Sequence, residues 1–122
     1  MLTSAPAPGG GRNKTPLHSK ADLSPRRVGL LELMQSINFG RIEGLVVRDG
    51  EPVLDPRPRI VREVKFGGDN GPRPELGAGD FVLKAQVVEL FGFFDRLQDG
   101  VVELIEVKHG LPFRMMVPEA AA

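Results

Sequence analysis

Between residues 23 and 40 the large apolar side chains recur every three or four positions, at Val28, Leu31, Met34 and Ile37 with Leu30 beside them, the period of one helical face. The stretch opens on Leu23-Ser24-Pro25. Ser24 can accept a hydrogen bond from a free first-turn N–H, Pro25 suits a position that needs no donor, and Leu23 can fold back as an apolar staple. Asn38-Phe39-Gly40 supplies the stop, with Gly40 expected in the left-handed conformation common at helix ends. From there the period changes to two. Residues 41–48, RIEGLVVR, predict a strand leading into Asp49-Gly50, a pair suited to a two-residue hairpin turn because both central positions need positive φ. The return strand 51–54 contains Pro52, which cannot donate to a ladder and so predicts an edge. Ile60, Arg62, Val64 and Phe66 then alternate with Val61, Glu63 and Lys65, predicting a third strand.

Residues 67–79 are dominated by Gly and Pro and read as a loop between two halves. A second, more buried helix is predicted over 81–97, with Asp80 as its cap and Gly92 explained by close packing against a neighbour. Asp99-Gly100 ends it. Residues 101–107 and 111–117 form a second hairpin around His109-Gly110.

The halves match. Leu30–Met34 align with Val87–Phe91; Gly40, Glu43, Val47, Gly50, Pro52 and Val53 then align with Gly100, Glu103, Val107, Gly110, Pro112 and Phe113 sixty positions on. The helix match sits three residues out of step with the strand match. The expected fold class is α+β: two helix-plus-hairpin repeats, 23–66 and 80–117, forming an antiparallel sheet of four or five strands with two helices on one face and a pseudo-two-fold relation. Asp49, Gly50, His109 and Gly110 are then turn residues, and the unlike chemistry of Asp49 and His109 argues that the position serves the turn.

Composition sharpens this outline. Residues 1–22 and 118–122 carry almost no large apolar side chains and are expected to be disordered, leaving 23–117 as a single domain. With 41% hydrophobic and 26% charged residues among 122, the chain suits one soluble globular domain. No apolar run reaches the roughly 20 residues that span a bilayer. The first residues lack a secretory pattern, so the expected location is cytoplasmic.

Chemistry is sparse. There are no cysteines and only two histidines, so a Cys-ligated metal, a disulfide framework or a Cys or His nucleophile is not expected, and no cofactor is implied. Glu43 and Glu103 are related by the repeat and could meet near the pseudo-two-fold, but strand-surface charges explain them more simply. The loop GGDNG lacks the Lys-Ser/Thr ending of a phosphate-binding loop.

The 16 basic and 16 acidic residues cancel, yet residues 56–66 carry four Lys/Arg against one Glu. Arg57, Arg59, Arg62 and Lys65, with Arg26 and Arg27, are the candidate nucleic-acid-binding residues. Zero net charge and the absence of interleaved aromatics weigh against that reading. A non-enzymatic protein-interaction or accessory module, with a protein partner or a homodimer, is the first expectation.

The stretch LLELMQSINFGRIEGLVVRDGEPV resembles the YezD-like family of small bacterial proteins, on Ser36, Ile37, Phe39, Gly40, Asp49 and Gly50. The resemblance covers about residues 27–66 and is weaker over 85–117. It implies a fold and a bacterial origin, and brings no activity.

Overall fold

A computed structural model describes residues 17–68, 70–71 and 83–119 of the chain. A short 3-10 turn, Lys20–Asp22, precedes helix α1 (Pro25–Ile37), strands β1 (Gly40–Arg48), β2 (Glu51–Val53) and β3 (Arg59–Arg62), helix α2 (Ala85–Leu97), and strands β4 (Gly100–Lys108) and β5 (Leu111–Met116). The fold is α+β. All five strands form one antiparallel sheet in the order β2-β1-β4-β5, and β3 also pairs with β1. Strands β2 and β3 thus line the outer edge of β1 in succession, with residues 54–58 bulging out between them.

The register of the central pair carries the symmetry. Gly40 pairs with Val107 and Val47 with Gly100; Ile42 pairs with Ile105 and Leu45 with Val102. Adding sixty to one partner and subtracting sixty from the other turns each pair into the other, as a two-fold axis between β1 and β4 requires. Burial repeats as well. Ile42, Leu45 and Val47 are buried on β1, and Val102, Ile105 and Val107 on β4, with the same spacing of three then two.

Both turns follow the residue chemistry. Asp49 and Gly50 have φ of 56° and 77°, and His109 and Gly110 have 57° and 72°, as a two-residue hairpin loop of the primed type requires. Each turn reaches across the axis to the other repeat's helix end: Gly50 N–H donates to Gln98 C=O at 2.8 Å, and Gly110 N–H to Asn38 C=O at 2.9 Å. These reciprocal bonds satisfy carbonyls that a helix terminus leaves open.

The helices correct the alignment read from the sequence. Both are 13 residues long and stand sixty positions apart throughout, with no three-residue shift. The similar strings Leu30–Met34 and Val87–Phe91 misled. What the fold equates is the buried set, Leu30, Leu31 and Met34 with Leu90, Phe91 and Phe94.

Other expectations change too. The positive-φ residues at the helix ends are Asn38 and Gln98, with φ of 63° and 64° and ψ of −60° and −68°, a tight turn distinct from the left-handed helical cap expected at Gly40. Helix α2 begins at Ala85 with Lys84 as its N-cap; Asp80 lies outside the described residues. Helix α1 is the more buried one, with six buried residues to four. Gly92 has no close neighbour: a Cβ there would stand 3.8 Å from the Arg96 guanidinium. Gly92→Ala is therefore expected to raise stability by about 0.5–1 kcal/mol in chemical denaturation, through helix propensity alone. The third strand stops at Arg62, and Val64 and Phe66 are exposed.

At the start of α1 the sequence reading holds. Ser24 Oγ accepts from Arg27 N–H at 3.2 Å, Pro25 occupies the first turn, and Leu23 is buried. Ser24→Ala should cost about 1 kcal/mol.

Residues 17–22, expected to be disordered, form a strap over the core. Leu17 packs against the core cluster, Lys20 is 6% exposed and bonds Glu32 at 2.8 Å, and His18 C=O accepts from Leu83 N–H. One aliphatic residue at each end, Leu17 and Leu23, holds a segment whose overall composition is polar. Residues 1–16, 69, 72–82 and 120–122 lie outside the described part. Backbone N–H groups of His18 and Ser19 donate to the Asp22 carboxylate, lowering its pKa below 3.8. A depressed carboxylate stabilises above its unfolded pKa and ceases to as pH falls through the folded one. The side-chain carboxyl carbon resonance of Asp22 should therefore titrate below about pH 3.9.

Candidate contact surface

The core consumes most of the apolar residues, so a site must be built from what the two repeats do differently. Three differences stand out: a buried arginine, a vacant groove and a displayed phenylalanine.

Arg27 lies on the first turn of α1 yet is only 8% exposed, because it points across the molecule to the far end of α2. It donates to Asp95 Oδ1 at 2.5 Å and to Gly50 C=O at 2.8 Å, and its guanidinium stacks on Phe91 at 5.1 Å. Glu51, which accepts from Ser24 Oγ, stands 3.8 Å from Arg27 Nε. The sixty-position equivalent of Arg27 is Val87. A single arginine therefore locks the first hairpin turn, α1 and α2 together, and it is unavailable to an outside anion.

The other candidate basic residues scatter. Arg62 donates to the carbonyls of Ser36 and Ile37, capping α1 with a cation where the helix dipole favours one. Arg59 pairs with Glu43 at 3.2 Å, and Lys65 lies over the Phe39 ring at 5.5 Å. Arg57 and Arg26 are exposed. Glu43 also accepts from Arg41 at 2.7 Å, and that bond keeps its carboxyl ionised below the usual range. The register sets Glu43 opposite Leu104, so it does not meet Glu103 across the axis. Among the described residues no group of three His, Asp or Glu side chains could hold a metal ion.

The sheet face away from the helices carries half-buried and exposed residues. Its residues run in cross-strand rows: Val53, Val46 and Val101; then Arg59, Glu43, Leu104 and Met116; then Val61, Arg41, Glu106 and Arg114. The charges of the second and third rows pair within the face, through Glu43 with Arg41 and Arg59 and through Glu106 with Arg114.

The groove lies between α2 and β5. It is a cavity of about 260 Å³ walled by Leu90, Phe93, Phe113 and Met115, with Glu89 and Arg96 at its rim. Arg96 covers Phe93 at 5.6 Å, and Lys108 Nζ sits 4.1 Å over Phe113. In the first repeat the equivalent space is filled. Leu54 follows β2 and lays its Cδ1 so close to α1 that a Cβ on Gly29 would be 3.0 Å away. The equivalent of Gly29 is Glu89, but the bulge at Glu106/Val107 moves β5 on by one residue, so that Arg114 faces Glu106 as Val53 faces Val46, and Met115 takes the place of Leu54. Met115 forms one wall there, and among the described residues the space between it and α2 stays open.

Sequence reading missed this groove. It takes the corrected helix register to set Gly29 against Glu89 and the bulge in β5 to set Leu54 against Met115, and the misaligned helices hid the comparison.

No helix of the described residues is long and apolar enough to cross a membrane. The sequence matches no protein-family model, and no curated protein and no solved structure matches it.

Proposed function

We propose that the chain is a non-enzymatic, cytoplasmic protein-interaction module whose contact surface is the α2–β5 groove. The observation that supports this most is the internal comparison: one repeat closes the space between helix and edge strand by packing Leu54 on Gly29, while the other, with Glu89 in place of Gly29, leaves an apolar slot beside Met115 with two half-exposed aromatic walls. A concave apolar site with a few polar rim groups is the usual form of a docking site. Direct strand addition to β5 is disfavoured by Pro112 and by the bulge at Glu106/Val107, both of which blunt an edge, so the partner enters the groove rather than extending the sheet.

The test uses the full chain as bait, wild type against Phe113→Glu. Phe113 is 59% exposed, so a charge is tolerated there while the groove wall is lost. A partner retained by wild type and reduced at least tenfold by Phe113→Glu supports the reading. Retention unaffected by that change removes it.

Nucleic acid is the second reading, carried by Arg57 and by Arg59, whose side chain is 76% exposed. It predicts salt-sensitive retardation of DNA or RNA that weakens in Arg57→Ala/Arg59→Ala; no retardation at low salt eliminates it.

A further inference from the structure

Phe66 is 99% exposed, the most exposed large apolar residue described. Its loop is tightly closed. Asn70 Oδ1 accepts from Lys65 N–H at 2.9 Å, Asn70 Nδ2 donates to Lys65 C=O at 3.0 Å, and Gly68 N–H donates to the same carbonyl at 3.2 Å. Gly67, with φ of 80°, supplies a turn that a side chain would strain. A ring held out in water on a pre-formed loop pays little ordering cost on docking.

We propose that Phe66 of one copy seats in the α2–β5 groove of a second copy. This rests on the reading of that groove as the contact surface and names its occupant. Three observations carry it. The groove's walls are apolar and aromatic, Leu90, Phe93, Phe113 and Met115, and suit a phenyl ring. The rim and the loop carry matching charges: Glu89 and Arg96 at the groove, Lys65 and Glu63 beside Phe66, none of the four in an ion pair among the described residues. The two parts also lie at opposite edges of the sheet, since β3 leads into the Phe66 loop outside β1 and β5 lies outside β4. Phe66 therefore cannot reach the groove of its own chain, and the contact is heterologous, adding copies head to tail unless a ring closes.

An interface this small belongs with transient contacts of under about 1,200 Å², so association is followed over roughly 10 µM to 1 mM protein. Sedimentation velocity of the full chain should show wild type growing with concentration, while Phe66→Ala and Phe113→Glu each remain monomeric. Mixed together, the two variants should form a species of two chains, because one retains the groove and the other the ring. Glu89→Lys should weaken wild-type association about tenfold, and adding Lys65→Glu should restore it. A wild type monomeric throughout, a Phe66→Ala variant that associates like wild type, or a mixture that stays monomeric would each overturn the proposal. If wild type stays monomeric while partner retention still responds to Phe113→Glu, the groove remains a contact surface and only the second copy is excluded as its occupant.

Discussion

Arg27→Ala is expected to destabilise the protein by about 3–4 kcal/mol in urea denaturation, the largest effect of any single surface-derived charge in this chain. The guanidinium is 8% exposed and serves Asp95, Gly50 C=O and the Phe91 ring at once. Its loss leaves the Asp95 carboxylate, 19% exposed, without its cation, and leaves the first hairpin turn without its tie to the second helix. Most of the cost comes from the stranded carboxylate, because a desolvated charge loses far more by being unpaired than the pair gained by forming. The double variant Arg27→Met/Asp95→Asn keeps volume, removes both charges and should recover all but about 1 kcal/mol. A loss below about 1 kcal/mol for Arg27→Ala would show that water reaches the cluster freely.

Gly40→Ala is expected to cost about 3 kcal/mol, and its repeat equivalent Gly100→Ala only about 1. A Cβ on Gly40 would stand 2.2 Å from Val61 C=O, 2.9 Å from Ile37 Cγ2 and 3.0 Å from Arg62 Cα. Two of those three atoms are backbone, so β3 must move off β1 to make room. At Gly100 the nearest atom is Leu97 Cδ1 at 3.2 Å, the end of a rotatable side chain. The difference arises because β3, an element of the first repeat alone, closes over Gly40. Amide exchange should show Gly40→Ala releasing the bond from Glu63 N–H to Phe39 C=O while leaving the β4–β5 ladder protected. Equal costs at the two glycines would mean that β3 is too loosely held to matter.

These two variants mark where the symmetry breaks, and the sequence shows the symmetry better than the breaks. The hairpins were legible because Asp49-Gly50 and His109-Gly110 are turn chemistry that acts locally, and Ser24-Pro25 fixes a helix start for the same reason. The strands followed from alternation. The helix register was not legible, since the strings Leu30–Met34 and Val87–Phe91 look alike and only burial distinguishes similarity of letters from equivalence of position. Arg27 read as one member of a basic group because nothing local announces a partner 68 residues away. The strap of residues 17–22 escaped notice because composition averages away two leucines. The groove was hidden for a related reason: it is defined by Leu54 closing on Gly29 in one repeat while Met115 and Glu89 stand around an open slot in the other.

The pseudo-two-fold pairing of β1 with β4 underlies every one of these comparisons, including the vacancy of the second groove. A nuclear Overhauser spectrum of the full chain tests it directly. The cross-strand contacts of Ile42 with Ile105 and of Leu45 with Val102 should both be present, with the amides of Gly50 and Gly110 protected alike. Contacts displaced by one residue, or protection at only one of the two glycines, would contradict the symmetric register and with it the equivalence of the two grooves.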